Sequence, residues 1–101
     1  MDLGIKGRNV FITGATRGIG RAIADTFAGE GCNVAICARN QDEIDQALTD
    51  LTALGIKAVG KRVDVMEEGA LKAWVVQAGE QLGGLDILIS NVGAMAHGGD
   101  K

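Results

Sequence analysis

The sequence predicts an α/β fold built on a parallel sheet. Three observations carry that expectation. Short apolar runs alternate with segments of helical periodicity along the 101 residues, and such alternation marks βαβ units. Glycine punctuates the junctions, with 16 glycines and no proline in the chain. The first apolar run, Val10-Phe11-Ile12, leads directly into "TGATRGIG" at 13–20, which places three glycines where a strand should turn into a helix.

Each element follows from its own pattern. Asn9–Thr13 reads as a short buried strand ending in glycine. From Gly18 to Phe27, Ile19, Ala22, Ile23 and Phe27 recur at helical spacing, and Gly29-Glu-Gly31 supplies a stop. Asn33–Ala38 is a second buried strand. The next helix carries Ile44, Ala47, Leu48, Leu51 and Leu54 on one stripe, with Gly55 closing it. Residues 57–65 form strand three, 67–82 a third helix with Ala70, Leu71, Trp74, Val75 and Ala78 inward, and 85–90 strand four. Strand three alternates polar with apolar residues, which suits an edge, whereas Ile87-Leu88-Ile89 is apolar on both faces, as in a central strand. The doubly wound order 3-2-1-4 satisfies the first requirement. It leaves an apolar strand four uncovered at the other edge, so the pattern expects more sheet beyond it.

Composition narrows the function. With 47% apolar residues and a net charge of −3, the chain is globular, forms one domain over 1–101, and has no basic stripe for nucleic acid. No apolar run approaches the roughly 20 residues that span a bilayer, and Met1-Asp2-Leu3-Gly4 lacks the layout of a signal peptide. No membrane partner is expected. Cys32 and Cys37 are wrongly spaced for zinc or a redox pair, point to opposite faces, and read as small buried thiols in a reducing, cytoplasmic compartment. No metal site is predicted.

The glycine segment has a physical purpose. A strand-to-helix turn at the carboxyl end of a parallel sheet exposes unpaired amides and the positive end of the helix dipole, which together bind anions. Gly14 allows the turn, Gly18 admits a pyrophosphate close to the backbone, and Gly20 lets helix and sheet pack closely. A P-loop is excluded, because no Gly-Lys-Ser/Thr follows.

"TGATRGIG" is similar to the TGxxxGxG fingerprint of the short-chain dehydrogenase/reductase family, which binds NAD or NADP on a Rossmann fold. "VDV" at 63–65 and "SNVG" at 90–93, where the family usually reads NNAG, fall at the ends of strands three and four. The departures are Ser90 and Val92. The resemblance spans nearly the whole chain. It implies an oxidoreductase acting on carbonyl or alcohol groups, a class that includes ketoacyl-carrier-protein reductases and many sugar, steroid and xenobiotic reductases. The cofactor segment then includes Gly14, Thr16, Arg17, Gly18, Ile19 and Gly20.

Charge points to NADP(H) over NAD(H). NAD-binding members of the fold place a carboxylate about 20 residues beyond the glycines, but strand two ends Cys37-Ala38-Arg39-Asn40. Arg39 would meet a 2′-phosphate through a charge-assisted contact, and the resemblance assigns the same preference to a basic residue at Arg17. The alternative is that both are solvated surface arginines. By resemblance, Asp64 bonds the adenine amino group and Val65 packs near its ring. Asn91 likewise holds the glycine loop and touches the ribose, and Gly93 leaves space by the nicotinamide. Asp64 as a helix cap and Gly93 as a plain turn residue stay open. Trp74 reads as core or interface, and His97 as part of a solvated loop.

The family's proton donor is a Tyr-x-x-x-Lys pair with a nearby serine. The chain has no tyrosine, and its single serine, Ser90, ends the wrong strand, so no catalytic residue is assigned. The expectation is the first half of a reductase that is homo-oligomeric when intact. A C-terminal segment of the same protein would supply the catalytic groups and the site for a small carbonyl or alcohol substrate. The alternatives are a stand-alone nucleotide-binding module or pseudoenzyme, and a structural partner whose glycine loop is only a packing turn.

Overall fold

The structure, a computed structural model, describes residues 4–91. Seven elements alternate: β1 (Asn9–Thr13), α1 (Gly18–Gly29), β2 (Asn33–Ala38), α2 (Gln41–Thr52), β3 (Ala58–Arg62), α3 (Glu68–Leu82) and β4 (Ile87–Ile89). Every pairing is parallel and the order is β3-β2-β1-β4, the first half of a doubly wound sheet. Ile12 is level with Ile36 and Ile89, and Ile36 with Gly60, so the carboxyl ends of all four strands share one edge.

Both faces of β1 and β2 are covered, which is why these strands read as continuous apolar runs. On one face Val10, Ile12, Val34 and Ile36 pack against Ala24 and Ala28 of α1 and Ile44, Ala47 and Leu51 of α2. On the other, Phe11, Ala35 and Cys37 meet Trp74, Ala78 and Leu82 of α3. Ile44 and Leu51 are fully buried, each worth about 1.5–3 kcal/mol to the seating of α2. Trp74 belongs to the core: its indole N–H donates to the Ile36 carbonyl at 3.0 Å, and its ring lies 6.5 Å from that of Phe11. Cys32 and Cys37 are free and sit in the two opposite layers. Burial raises both thiols above their ordinary value, Cys37 to about 11, and so favours the neutral thiol over the reactive thiolate.

Several expectations about faces and ends change. The buried side of α1 is Gly20, Ala24 and Ala28, whereas Ile19 and Ala22 are exposed and Ile23 and Phe27 half-buried. Small residues win that face because they let the helix lie close on the sheet. Leu54 lies beyond the end of α2 and is exposed, and Ala70 faces solvent in the first turn of α3, whose buried line is Trp74, Ala78 and Leu82. The β3 ladder covers 58–62 rather than 57–65, and β4 only 87–89 rather than 85–90. Leu88 is 62% exposed, since no described element covers its side of β4.

The amino edge of the sheet is closed by side-chain amides. The Asn9 amide donates to the carbonyls of Leu82 (3.0 Å) and Gly84 (2.9 Å), and its oxygen accepts from Asn33 Nδ2 at 2.9 Å. Asn33 Oδ1 then accepts from the Lys57 N–H at 2.9 Å, and Asp86 accepts from the Asn9 N–H at 2.8 Å.

Candidate functional site

The carboxyl edge is built differently. The Gly14 N–H donates to the Cys37 carbonyl at 3.0 Å, extending the β1–β2 ladder by one bond before the chain leaves the sheet. Gly18 has φ +61°, with open space where a side chain would stand, so the backbone there is reachable. Gly20 is the opposite case. A Cβ on it would overlap the Gly14 carbonyl oxygen and lie 2.7 Å from Asn91 Nδ2. Asn91 donates its N–H to Thr13 Oγ1 at 2.9 Å and its amide to the Gly14 carbonyl at 3.3 Å, tying the loop to the end of β4. Arg17 precedes α1 in an extended conformation and makes no side-chain cap. The first amides of α1 are thus left for another partner, at the helix end where the dipole favours an anion.

Beside this loop lies a cleft of about 520 Å³, bounded by the end of β2, the start of α2 and the segment after β3. It brings together Gly14, Thr16, Arg17, Arg39, Asp64 and Val65 from the residues singled out in the sequence. Gly18, Ile19, Gly20 and Asn91 are not in its lining: Gly20 packs on Gly14 and Asn91, and Ile19 is exposed on α1. Gly93, like Val92 and His97, lies outside the described residues.

The charged groups of the cleft differ in how far they are engaged. Among the described residues the Arg39 guanidinium has no acidic partner, while its carbonyl accepts from Arg62 Nε at 3.1 Å. Asp64 Oδ1 accepts from the Met66 N–H at 3.0 Å, a local turn rather than a helix cap, since the residue before α3 is Glu67. Its other oxygen has no described donor.

Sequence reasoning missed Glu43. Its Oε1 accepts from Thr16 Oγ1 at 3.0 Å and lies 3.7 Å from Arg17 Nε, so α2 sends a carboxylate across to the glycine loop. The available signal was the spacing of Asn40 and Glu43, which starts a helix and sets the glutamate in its first turn.

No group of three candidate metal ligands occurs among the described residues, and no described helix is long and apolar enough to cross a membrane.

A parallel sheet in the order 3-2-1-4, with a glycine turn and an open cleft at its carboxyl edge, is the first half of a Rossmann-type nucleotide-binding fold. The family model described as short chain dehydrogenase matches residues 8–101. The chain belongs to that family, a family of oxidoreductases. It is 42% identical over 98 residues to a hydroxysteroid dehydrogenase-like protein 2 of Danio rerio, covering 90% of this chain and 24% of that protein. An isoepoxydon dehydrogenase of Penicillium expansum is 38% identical, over 94% of this chain and 38% of its own length. Among solved structures, a short chain dehydrogenase from Mycobacterium thermoresistibile superposes with a TM-score of 0.80 at 34% identity, over 86% of this chain and 34% of that one. The chain thus spans well under half the length of these relatives.

Proposed function

We propose that this chain forms the NADP(H) site of a short-chain dehydrogenase/reductase acting on a small carbonyl or alcohol substrate. One observation carries the reading. Arg17 and Arg39 line a single cleft beside the uncapped start of α1, and β2 ends without a carboxylate. The local architecture fits such a cofactor: the space beside Gly18 is open, Gly20 keeps the loop close to the sheet, and the Arg39 guanidinium lacks an acidic partner among the described residues.

In this reading the amides that follow Gly14, through Gly20, hold the diphosphate together with Thr16 and Ile19, Gly14 giving the turn, and the two guanidiniums take the 2′-phosphate. Asp64 accepts from the adenine amino group through its free oxygen, and Val65 lies against the ring. Asn91 positions the loop and touches the ribose. The bound cofactor supplies or accepts the hydride. The proton donor and substrate-binding groups belong to a further segment of the same protein, on the pattern of the ketoacyl-carrier-protein reductases. The intact protein is then a cytoplasmic homo-oligomer. A second reading is nucleotide binding without turnover. Consumption of NADPH with a panel of ketones separates the two.

The test is a fluorescence titration of the full-length gene product with NADPH and NADH. NADPH should bind about tenfold tighter, equivalent to roughly 1.4 kcal/mol, and the difference should vanish when Arg17 and Arg39 are both replaced by glutamine. Equal affinities in the unaltered protein, or no binding of either, would overturn the reading.

A further inference from the structure

We infer that Glu43 is a specificity-determining residue that restrains the choice of the 2′-phosphorylated cofactor, an inference that rests on the cofactor reading above. The cleft is less cationic than its two arginines suggest. Its charged lining residues are Arg17, Arg39, Glu43 and Asp64, two of each sign. Glu43 stands closest to the phosphate-selecting machinery, since the same oxygen takes the Thr16 hydroxyl at 3.0 Å and stands 3.7 Å from Arg17 Nε.

A purely structural role would predict a different geometry. Glu43 is the third helical residue after the N-cap Asn40, whose Oδ1 accepts from the Glu43 N–H at 3.0 Å. In a reciprocal capping arrangement the glutamate would reach back to the N-cap N–H. Here the carboxylate is instead bonded across to the glycine loop, and it retains 36% side-chain exposure within the cleft.

Two consequences follow for a ligand. A 2′-phosphate must draw Arg17 away from an anion already beside it, and must itself approach that anion, so its binding is weakened on both counts. A 2′-hydroxyl suffers neither penalty and finds in Glu43 an additional acceptor. The carboxylate that NAD-binding relatives of the fold place at the end of the second strand is here offered from α2. The two arginines set the direction of the preference, and Glu43 limits its size.

The test uses calorimetry on the full-length gene product with 2′,5′-ADP and 5′-AMP, which differ at the 2′ position alone. Glu43→Gln keeps an oxygen to accept from Thr16 while removing the charge. It should tighten 2′,5′-ADP by about five- to tenfold relative to 5′-AMP at low ionic strength, with the gain shrinking at about 1 M salt. Glu43→Asp keeps the charge and should hold the ratio nearer that of the unaltered protein. A ratio unchanged in Glu43→Gln, or equal shifts for both nucleotides, would overturn the inference while leaving the arginines' role standing. If Arg17→Gln and Arg39→Gln leave the ratio unchanged but Glu43→Gln alters it, the arginine reading falls and the role of Glu43 stands. Failure of 2′,5′-ADP to bind overturns both.

Discussion

The two edges of the sheet solve opposite problems with the same backbone. At the amino edge, Asn9 and Asn33 turn their amides inward and pair with the Leu82, Gly84 and Lys57 backbone and with each other. At the carboxyl edge, the start of α1 has no side-chain cap, Arg39 has no acidic partner among the described residues, and the Gly18 backbone faces open space. Polar groups closed on themselves stabilise a fold, whereas polar groups held in place without partners are available to a ligand. The difference locates the candidate site without reference to any relative.

That contrast can be broken from either side. The largest effect on stability should come from Asn9→Leu, which strands two carbonyls and the Asn33 amide. It should cost about 3 kcal/mol in denaturant unfolding while leaving the ratio of NADPH to NADH affinity unchanged. A shift in that ratio would mean that the amino edge is not merely structural. Gly20→Ala should have a smaller effect on stability, about 1–3 kcal/mol, because the new methyl meets the Gly14 carbonyl and Asn91. Here the nucleotide should also bind more weakly, by about tenfold, as the loop is displaced. Stability loss with full affinity would show that the loop's position against β4 does not matter to the ligand.

Much of this was legible in the residues. The alternating pattern of 58–65 placed β3 at an edge, and the apolar runs of β1 and β2 read as buried strands, because burial on one face or two leaves different periods; the same argument made β4 central, whereas it is outermost in the described sheet, with Leu88 exposed. The helix faces were harder. Periodicity picked out Ile19 and Ala22, but α1 sits on Gly20, Ala24 and Ala28, since close approach to a sheet selects for small side chains rather than for the most apolar ones. Glu43 escaped notice for a related reason. Its partners, Thr16 and Arg17, stand 27 and 26 residues earlier, and nothing local reveals that the start of α2 returns beside the first loop.

The central claim is that the carboxyl edge alone receives the nucleotide. Amide hydrogen exchange of the full-length protein with and without saturating NADPH tests it most directly. Exchange should slow across residues 14–20, 39–43 and 64–66 and stay unchanged at Gly7, Asn33 and Lys57 on the amino edge. Equal protection at both edges, or protection confined to the amino edge, would contradict it.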